Sequence, residues 1–374
     1  MKIIETDVAI IGAGSAGLSA AVEASSAGAK VLVIDENSRP GGQLFKQIHK
    51  FFGSSAHLAG VRGYEIGKQL LHQVEQSGAE VMLDSLAYGY FPKKGIGLIH
   101  NNRHYVVKAK KTILAAGAKE NYMAFPGSTL PGVMGAGAAQ TMVNINRVLP
   151  GKKVVMVGSG NVGLIVSYQL MQAGADVVAL VEASPKINGY GVHAGKIRRA
   201  GVPILTGHSI SRILGSKCVE AVEIVALDER WKPIPETEQI LEADTVCLAV
   251  GLNPMTELAW QAGCQFDYIP TFGGHVPLHD QNMETTVPGI YVAGDVTGVE
   301  EASSAMEEGK LAGIAAAEAL GFLSKQDADR KKCVVYQRLA VLRSGHFGER
   351  RSQAKERQMA DMEEWRHKAE VSGQ

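Results

Sequence analysis

Short, wholly apolar runs recur along this chain, and most of them end on a glycine. Val8–Ile11 and Val154–Val157 are the clearest. A run without polar alternation reads as a strand buried on both faces, as in parallel sheets covered by helices. The first run predicts a strand over about residues 6–11, a helix over about 15–27 and a second strand over about 30–35. Asn37–Gly63, with Pro40-Gly41-Gly42, reads as loop. Gly63–Ser77 reads as a helix with Ile66, Leu70, Leu71 and Val74 on its buried face, and short alternating strands follow through about Val107. Lys110–Glu120 is a further buried strand entering a glycine turn, and Pro126-Gly127 and Pro131-Gly132 mark a crossover. From about Gly151 the strand–helix–strand pattern starts again and runs to the buried strand Thr245–Pro254. Gly289–Val296 leads into an Ala- and Glu-rich helix over about Glu301–Leu320. Beyond Ser324 the residues become charged. That tail predicts one or two helices docking through Val334, Tyr336, Leu339 and Leu342.

Two of these segments are copies of one plan. Asp7–Glu36 and Lys153–Glu182 are each an apolar strand, a G-x-G-x-x-G turn, an amphipathic helix, a glycine and a second strand ending in an acid. Gly12, Gly14 and Gly17 align with Gly158, Gly160 and Gly163, and Gly28 with Gly174. In this motif the first glycine allows the tight turn, the second lets backbone approach a diphosphate, and the third brings helix and strand together. The helix that follows offers unpaired N–H groups to an anion. Ala16 lies within the first turn; Asn161 and Val162 lie within the second. Two nucleotide sites are therefore expected. Counted from the aligned glycines, the second acid arrives one residue late, on Glu182 where Val181 would match Asp35, and such a slip turns a side chain to the other face of a strand.

Composition narrows the picture. Lys+Arg and Asp+Glu are 38 each, which points away from nucleic acid. Glycine, 43 of 374 residues, exceeds the usual ~7 %. The four cysteines are scattered without a C-x-x-C, so neither a zinc site nor a stapled secreted fold is expected, and a cytoplasmic setting fits. No signal peptide and no run of about twenty apolar residues is read.

Four segments together resemble the two-dinucleotide-binding-domain flavoproteins with the thioredoxin-reductase-like fold: GAGSAG with Asp35, Pro40–Leu44, Thr112–Ala118 and Ile290–Val296. Within that fold, Ala115–Gln140 and Val299–Gly313 are most similar to the FAD/NAD-type subunits of opine dehydrogenase, hydrogen cyanide synthase and L-proline dehydrogenase complexes and to the sarcosine oxidase α subunit. The resemblance implies an α/β chain of two Rossmann-like three-layer nucleotide-binding domains, the second inserted in the first. Residues 1–121 and 252–324 would bind FAD, residues 122–251 an NAD-type nucleotide, and 325–374 would form the charged helical tail. It implies that Asp35, with Glu36 as rival, bonds the adenosine ribose. Gly41 and Gly42 would lie along the diphosphate and ribityl chain, and Asp295, after Gly294, would hold a ribityl hydroxyl. Backbone amides near Ala302 and Ser303 would face the flavin pyrimidine. Gln43, Ala116 and Gly117 complete the expected FAD contacts; Glu182 and Gly251 complete those of the second site, for NAD(H) or another adenine nucleotide.

The chain departs from disulfide reductases in having no cysteine in Pro40–Gln47 or Glu182–Gly207, and it lacks the C-terminal cysteine cluster of many relatives. A [2Fe–2S] centre would then have to come from another polypeptide. No side chain is singled out as catalytic and none as a metal ligand. His49, His57 and His193 read as surface or satisfied-core residues, the Glu300–Glu301 and Glu307–Glu308 pairs as a solvated face, and the basic tail residues (Arg330–Lys332, Arg350, Arg351) as solvent-facing. The expected function is the FAD-dependent, electron-transferring subunit of a heteromeric amine or amino-acid dehydrogenase, partnered by a [2Fe–2S] protein and a second flavoprotein subunit. The alternatives are a stand-alone NADH-dependent flavin or ferredoxin-type reductase, and a nucleotide-loaded assembly scaffold.

Overall fold

In the computed structural model residues 2–51 and 54–372 are described. The chain divides into two compact units: Met1–Lys119 with Asn253–Gln374, and Glu120–Leu252.

The first unit begins with β1 (Lys2–Ile11), α1 (Ser15–Ser26), β2 (Val31–Ile34), α2 (Gly63–Ser77), β3 (Glu80–Met82), β4 (Ser85–Phe91), β5 (Gly95–His100) and β6 (Arg103–Leu114). The chain leaves it along β7 (Ala118–Glu120). The second unit holds β8 (Val133–Gly135), α3 (Ala136–Thr141), β9 (Lys153–Val157), α4 (Asn161–Gln172), β10 (Asp176–Glu182) and α5 (Gly191–Arg199). It continues with β11 (Ile204–Thr206), β12 (His208–Leu214), β13 (Ala221–Ala226), β14 (Gln239–Glu242) and β15 (Thr245–Leu248). β16 (Leu252–Pro254) leads back. The first unit then ends with α6 (Glu257–Ala262), β17 (Phe266–Ile269), β18 (Gly274–Pro277), β19 (Ile290–Val292), α7 (Ala302–Ala319), α8 (Lys325–Leu342) and α9 (Gly345–Ser372).

The sheet of the first unit has the order β3-β2-β1-β6-β5-β4. β1, β2, β3 and β6 are parallel, whereas β4, β5 and the first half of β6 form an antiparallel meander. β19 joins the last three residues of β6 in parallel. Val8, Ala9 and Ile10 are fully buried, as the unalternating run requires of a strand covered on both faces. α1 and α7 cross closely because Gly309 and Gly313 meet backbone of Ala16 and Ala20, where any side chain would collide. The second unit has a parallel sheet, β11-β10-β9-β15-β8, and a separate antiparallel sheet, β12-β13-β14.

The tail forms two helices belonging to the first unit. α8 docks through Ala328, Val335 and Leu339, with Tyr336 half-buried; Val334 faces out, one position from the expected face. Its charges are not all solvated. Lys332 is buried and donates to Glu318 (2.5 Å) and Asn282 (2.7 Å), while Arg330 lies on the surface.

Candidate functional site

The glycine segments of the first unit meet at one edge of its sheet. Ile11 pairs with Ile34 and with Leu114, and Leu114 pairs with Val292. The residues that follow, Gly12, Asp35, Ala115–Gly117 and Gly294–Asp295, therefore emerge side by side at the carboxyl ends of parallel strands, where open α/β sheets bind ligands. Gly12 has φ +107°, and a side chain there would strike the Ala115 carbonyl. Gly17 faces the Gly12 carbonyl with no room for a Cβ. Gly14, by contrast, has nothing within 4 Å of where its Cβ would be. That space fits a diphosphate approaching the N-terminus of α1.

Asp35 is buried and held from both sides. Its Oδ2 accepts the Ala13 amide (2.6 Å), and its Oδ1 accepts the amide and Nδ2 of Asn37 (2.8 Å each). A cavity of about 300 Å³ opens beside it, lined by Gly12, Asp35, Glu36, Ser85–Tyr88 and Ala116, with Met255 and residues of α6 on the far wall. Asp35 and Glu36 thus both reach the cavity. Gly41, at φ +111°, donates its amide to the Ala13 carbonyl (2.6 Å), which folds the Pro-Gly-Gly loop across the turn and brings Gly42 against Gly14. Gln43 is exposed on the short 3-10 segment that follows, and the Gly117 carbonyl accepts the Met255 amide (2.9 Å).

Gly294–Thr297 forms a single 3-10 turn. Asp295 is half-buried within it, and its removal from water, reinforced by Glu308, Glu300 and Glu301, pushes its carboxyl up to about 7; the Glu300 amide (3.4 Å) opposes this. α7 starts at Ala302, and its N-cap Glu301 makes no capping bond through its side chain. The amides of Ala302 and Ser303 thus head an eighteen-residue helix.

The expectation of a solvated face for the acidic pairs is corrected here. Glu307 and Glu308 are buried. Burial would raise Glu307, but His57 (Nε2 3.4 Å), Lys310 (2.6 Å) and Arg338 (3.6 Å) hold it below its ordinary value. Glu308 is held down to about 2, against its burial, by Lys355, Arg343 and His279. Its Oε2 accepts the Gly294 amide and lies 2.9 Å from Thr297 Oγ1. Apart from Lys310, one turn along α7 from Glu307, the partners come from α8 and its C-cap, α9 and distant loops, so no local pattern announces them. His57 and His193 are buried, and His49 stacks on Phe51.

The second unit repeats the first turn almost bond for bond. Gly158 has φ +101° and faces the Ala249 carbonyl, Gly163 faces the Gly158 carbonyl, and Gly160 has open space. Val157 pairs with Val181 and with Leu248, so Gly158, Glu182 and Ala249–Gly251 share one sheet edge. The one-residue delay of the acid is absorbed by an irregularity: Val177 pairs with Val154 and Ala179 with Val155, leaving Val178 as a bulge. Glu182 is thereby returned to the place Asp35 has in the first unit. Its Oε2 accepts the amide (2.8 Å) and hydroxyl (2.7 Å) of Ser159, and its Oε1 the Ser184 amide (2.8 Å). The Gly189 amide donates to the Ser159 carbonyl (2.9 Å), as Gly41 does to Ala13, and the Tyr190 amide donates to Asn161 Oδ1 (2.9 Å). Val162 is exposed. Asn37, Ser159, Gly189 and the α6 wall were not foreseen. Asn37 alone left a sequence trace, an Asn two positions after an acid.

A family model described as pyridine nucleotide-disulphide oxidoreductase matches residues 6–309. The chain belongs to that family. It is an oxidoreductase, and the family implies binding of FAD and a nicotinamide nucleotide. The chain is 30 % identical to an opine oxidase subunit from Agrobacterium tumefaciens (strain Ach5), over 86 % of this chain and 67 % of that protein. It is 27 % identical to hydrogen cyanide synthase subunit HcnB of Pseudomonas aeruginosa, over 82 % of this chain and 69 % of that protein. About a third of each relative thus lies outside the match. Thioredoxin reductase of T. acidophilum shares the fold, with a TM-score of 0.70 at 23 % identity over 84 % of this chain and 99 % of that one. The resemblance drawn from four segments holds. Within the family this chain has no cysteine pair to cycle: Cys247 and Cys264 are buried singly, which pushes both thiols up, and Cys218 and Cys333 are exposed. Among the described residues no helix is long and apolar enough to cross a membrane.

Proposed function

We propose that this chain is the FAD-binding, electron-transferring subunit of a heteromeric amine or amino-acid dehydrogenase, serving an opine, proline, sarcosine or glycine class substrate. The likeness to the opine oxidase protein, itself named as one subunit of its enzyme, carries the reading. The cysteine-free Pro40–Gln47 stretch supports it by removing the disulfide chemistry of the fold's reductases. Bound FAD supplies two-electron redox chemistry. The chain's own residues bind and polarise it: Gly12, Gly14 and Gly17 admit the diphosphate, Asp35 takes the ribose, Asp295 takes a ribityl hydroxyl, and the α7 amides favour negative charge on the pyrimidine. Ala16, Gly41, Gly42, Gln43, Ala116, Gly117 and Gly294 shape the same site. In the second unit Gly158, Gly160, Asn161, Val162, Gly163, Glu182 and Gly251 form a site for NAD(H) or another adenine nucleotide. A second flavoprotein subunit would oxidise the amine, and a [2Fe–2S] protein would take electrons onward.

Affinity capture from native lysate tests this. A co-purifying flavoprotein and a small cysteine-rich protein are expected, with FAD extractable from the tagged chain. Amine oxidation by the purified chain alone, at a rate usual for enzymes, would end the division of labour. A second reading, a self-sufficient NADH-dependent reductase, is favoured by Glu182 standing where Asp35 stands. Anaerobic mixing with NADH separates the two, because prompt bleaching of the flavin band without any partner is required of the reductase.

A further inference from the structure

Glu308 is buried in the first unit, and both of its cationic partners come from the tail. Arg343, just beyond α8, donates to Oε1 (2.6 Å), and Lys355 of α9 lies 3.0 Å from the same oxygen. Lys355 also donates to the backbone carbonyl (3.0 Å) and Oγ1 (2.7 Å) of Thr297 and lies 5.0 Å from the Phe272 ring centroid. His279 Nδ1 sits 2.8 Å from the Asp280 carbonyl. Burial, with Lys355 beside it, pushes His279 down to about 4. Neutral at ordinary pH, it donates through Nδ1 and leaves Nε2 as an acceptor 3.4 Å from Lys355. Lys355 is therefore surrounded by acceptors and is 3 % exposed.

These contacts close on the Gly294–Thr297 turn. Glu308 grips its first amide and its last hydroxyl, and Lys355 grips Thr297 from the other side. Arg343 also chelates Glu300 (2.8–3.2 Å), the residue whose amide faces Asp295. Asp295 is the second residue of this turn. We propose that the tail is a brace for the cofactor turn, with Lys355 and Arg343 as positioning residues that hold Asp295 in place and keep it ionised to receive the ribityl hydroxyl. The proposal rests on the assignment of FAD to the first unit.

The charge balance explains why the cations matter. The acids that act on Asp295 are Glu308 on α7 and Glu300 and Glu301 before it; the cations that meet those acids are Arg343 after α8 and Lys355 and Arg351 on α9, with neutral His279 beside Lys355. Glu301 is met at the surface by Arg351 (3.5 Å). That leaves Asp295, Glu300 and Glu308 against Lys355 and Arg343. Loss of either cation leaves three acids facing one, which favours the protonated form of Asp295. A protonated Asp295 forfeits the charge-assisted bond, so affinity for FAD falls at a higher pH than in the parent.

The full-length apoprotein is titrated with FAD by flavin fluorescence across about pH 6 to 9, a range that brackets carboxyl titration near neutrality. K355M and R343M are expected to raise the FAD dissociation constant about tenfold near neutral pH. Both should move the acid fall-off upward by about one pH unit, the shift equivalent to that factor. R343K, which keeps the charge, should return the fall-off toward the parent position. R366A, which removes only the tail's surface contact with Asp280, should lower the melting temperature without altering FAD binding. If K355M fails to fold, R343M carries the test, since Arg343 is the more exposed of the two cations. Parent-like affinity and fall-off in these variants, at any melting temperature, would overturn the brace. A parent protein that takes up no FAD would overturn the cofactor assignment instead, and the brace with it.

Discussion

At the first turn Ala13 gives Asp35 one amide, and Asn37 supplies two further donors from the acid's own loop. At the second turn Ser159 gives Glu182 an amide and a hydroxyl, and Ser184 gives one more amide. Each carboxylate therefore receives three short hydrogen bonds, although the acids, the donors and the strand lengths differ. What is shared is the point at which the acid meets the amide of the turn's second residue. The bulge at Val178 preserves that point against an extra residue in β10. Backbone geometry at the sheet edge, rather than residue count, sets where the acid lies.

The largest expected effect separates binding from folding. Gly14 and Gly160 have open space where a Cβ would be, and both have ordinary negative φ. Gly14→Ala should leave the melting temperature within a few degrees of the parent, as an N-cap change of a few tenths to about 1 kcal/mol allows. It should also give colourless or weakly coloured protein, while Gly160→Ala stays yellow and loses only the second nucleotide. Full FAD content in Gly14→Ala would remove the diphosphate from this turn.

Asp35→Ala and Glu182→Ala come next. Each deletes a buried charge-assisted acceptor worth roughly 1.5–3 kcal/mol, which corresponds to ~10- to 100-fold in affinity. Asp35→Ala should weaken FAD, and Glu182→Ala the second nucleotide, each by titration calorimetry and each without affecting the other ligand. Deleting Val178 is the sharper probe, because it removes the extra residue together with the bulge and leaves Val181 paired with Val157, so Glu182 keeps its place beside Ser159. Second-nucleotide affinity should stay at the parent level. A loss as large as that of Glu182→Ala would show that the bulge itself, and not the register at the sheet edge, places the acid.

A third difference lies in how the units respond to acid. Only the first contains the Glu308 cluster. Glu308 is depressed from 4.5 to about 2, so the stability it contributes is present above 4.5 and is lost as pH falls toward 2. His279 is depressed from 6.5 to about 4, so folding also loses stability as pH falls through that window. Both terms act in the same direction. Protection of the α9 amides from hydrogen exchange, relative to their intrinsic rates, should fall between about pH 6 and about pH 3 before protection in β9 does. The same pH dependence in both helix and strand would detach the effect from this cluster.

These contrasts also mark what could be read from the chain alone. The edge glycines were legible because Gly12, Gly17 and their counterparts sit where a side chain would strike backbone, a demand that leaves one residue type. Helix α2 was legible from its apolar spacing, α1 from the glycine turn it follows, and α7 from its Ala- and Glu-rich run. Two things were hidden. The bulge has no side-chain signature, since Val177, Val178 and Ala179 read as an unbroken strand. The burial of Glu307 and Glu308 depends on partners such as Arg343, 35 residues away, and on tail helices whose docking face was read correctly at Tyr336 and Leu339 but at Val334 instead of Val335. Two adjacent acids on a helix look solvated until the cations that cover them are found in space.

The finest test makes the second turn resemble the first at its second position. Ser159→Ala places alanine where the first unit has Ala13. The hydroxyl bond to Glu182 (2.7 Å) disappears, together with the 3.2 Å contact from the Asn188 amide to the same oxygen. The Ser159 amide still donates to Glu182, so the acid keeps its place. The expected cost is about 0.5–1.5 kcal/mol in the stability of the second unit, the net value of one buried hydrogen bond. Second-nucleotide affinity should change less than tenfold, within that energy. If affinity instead falls as far as in Glu182→Ala, the hydroxyl is what fixes the carboxylate, and the two turns work by different means despite their common backbone.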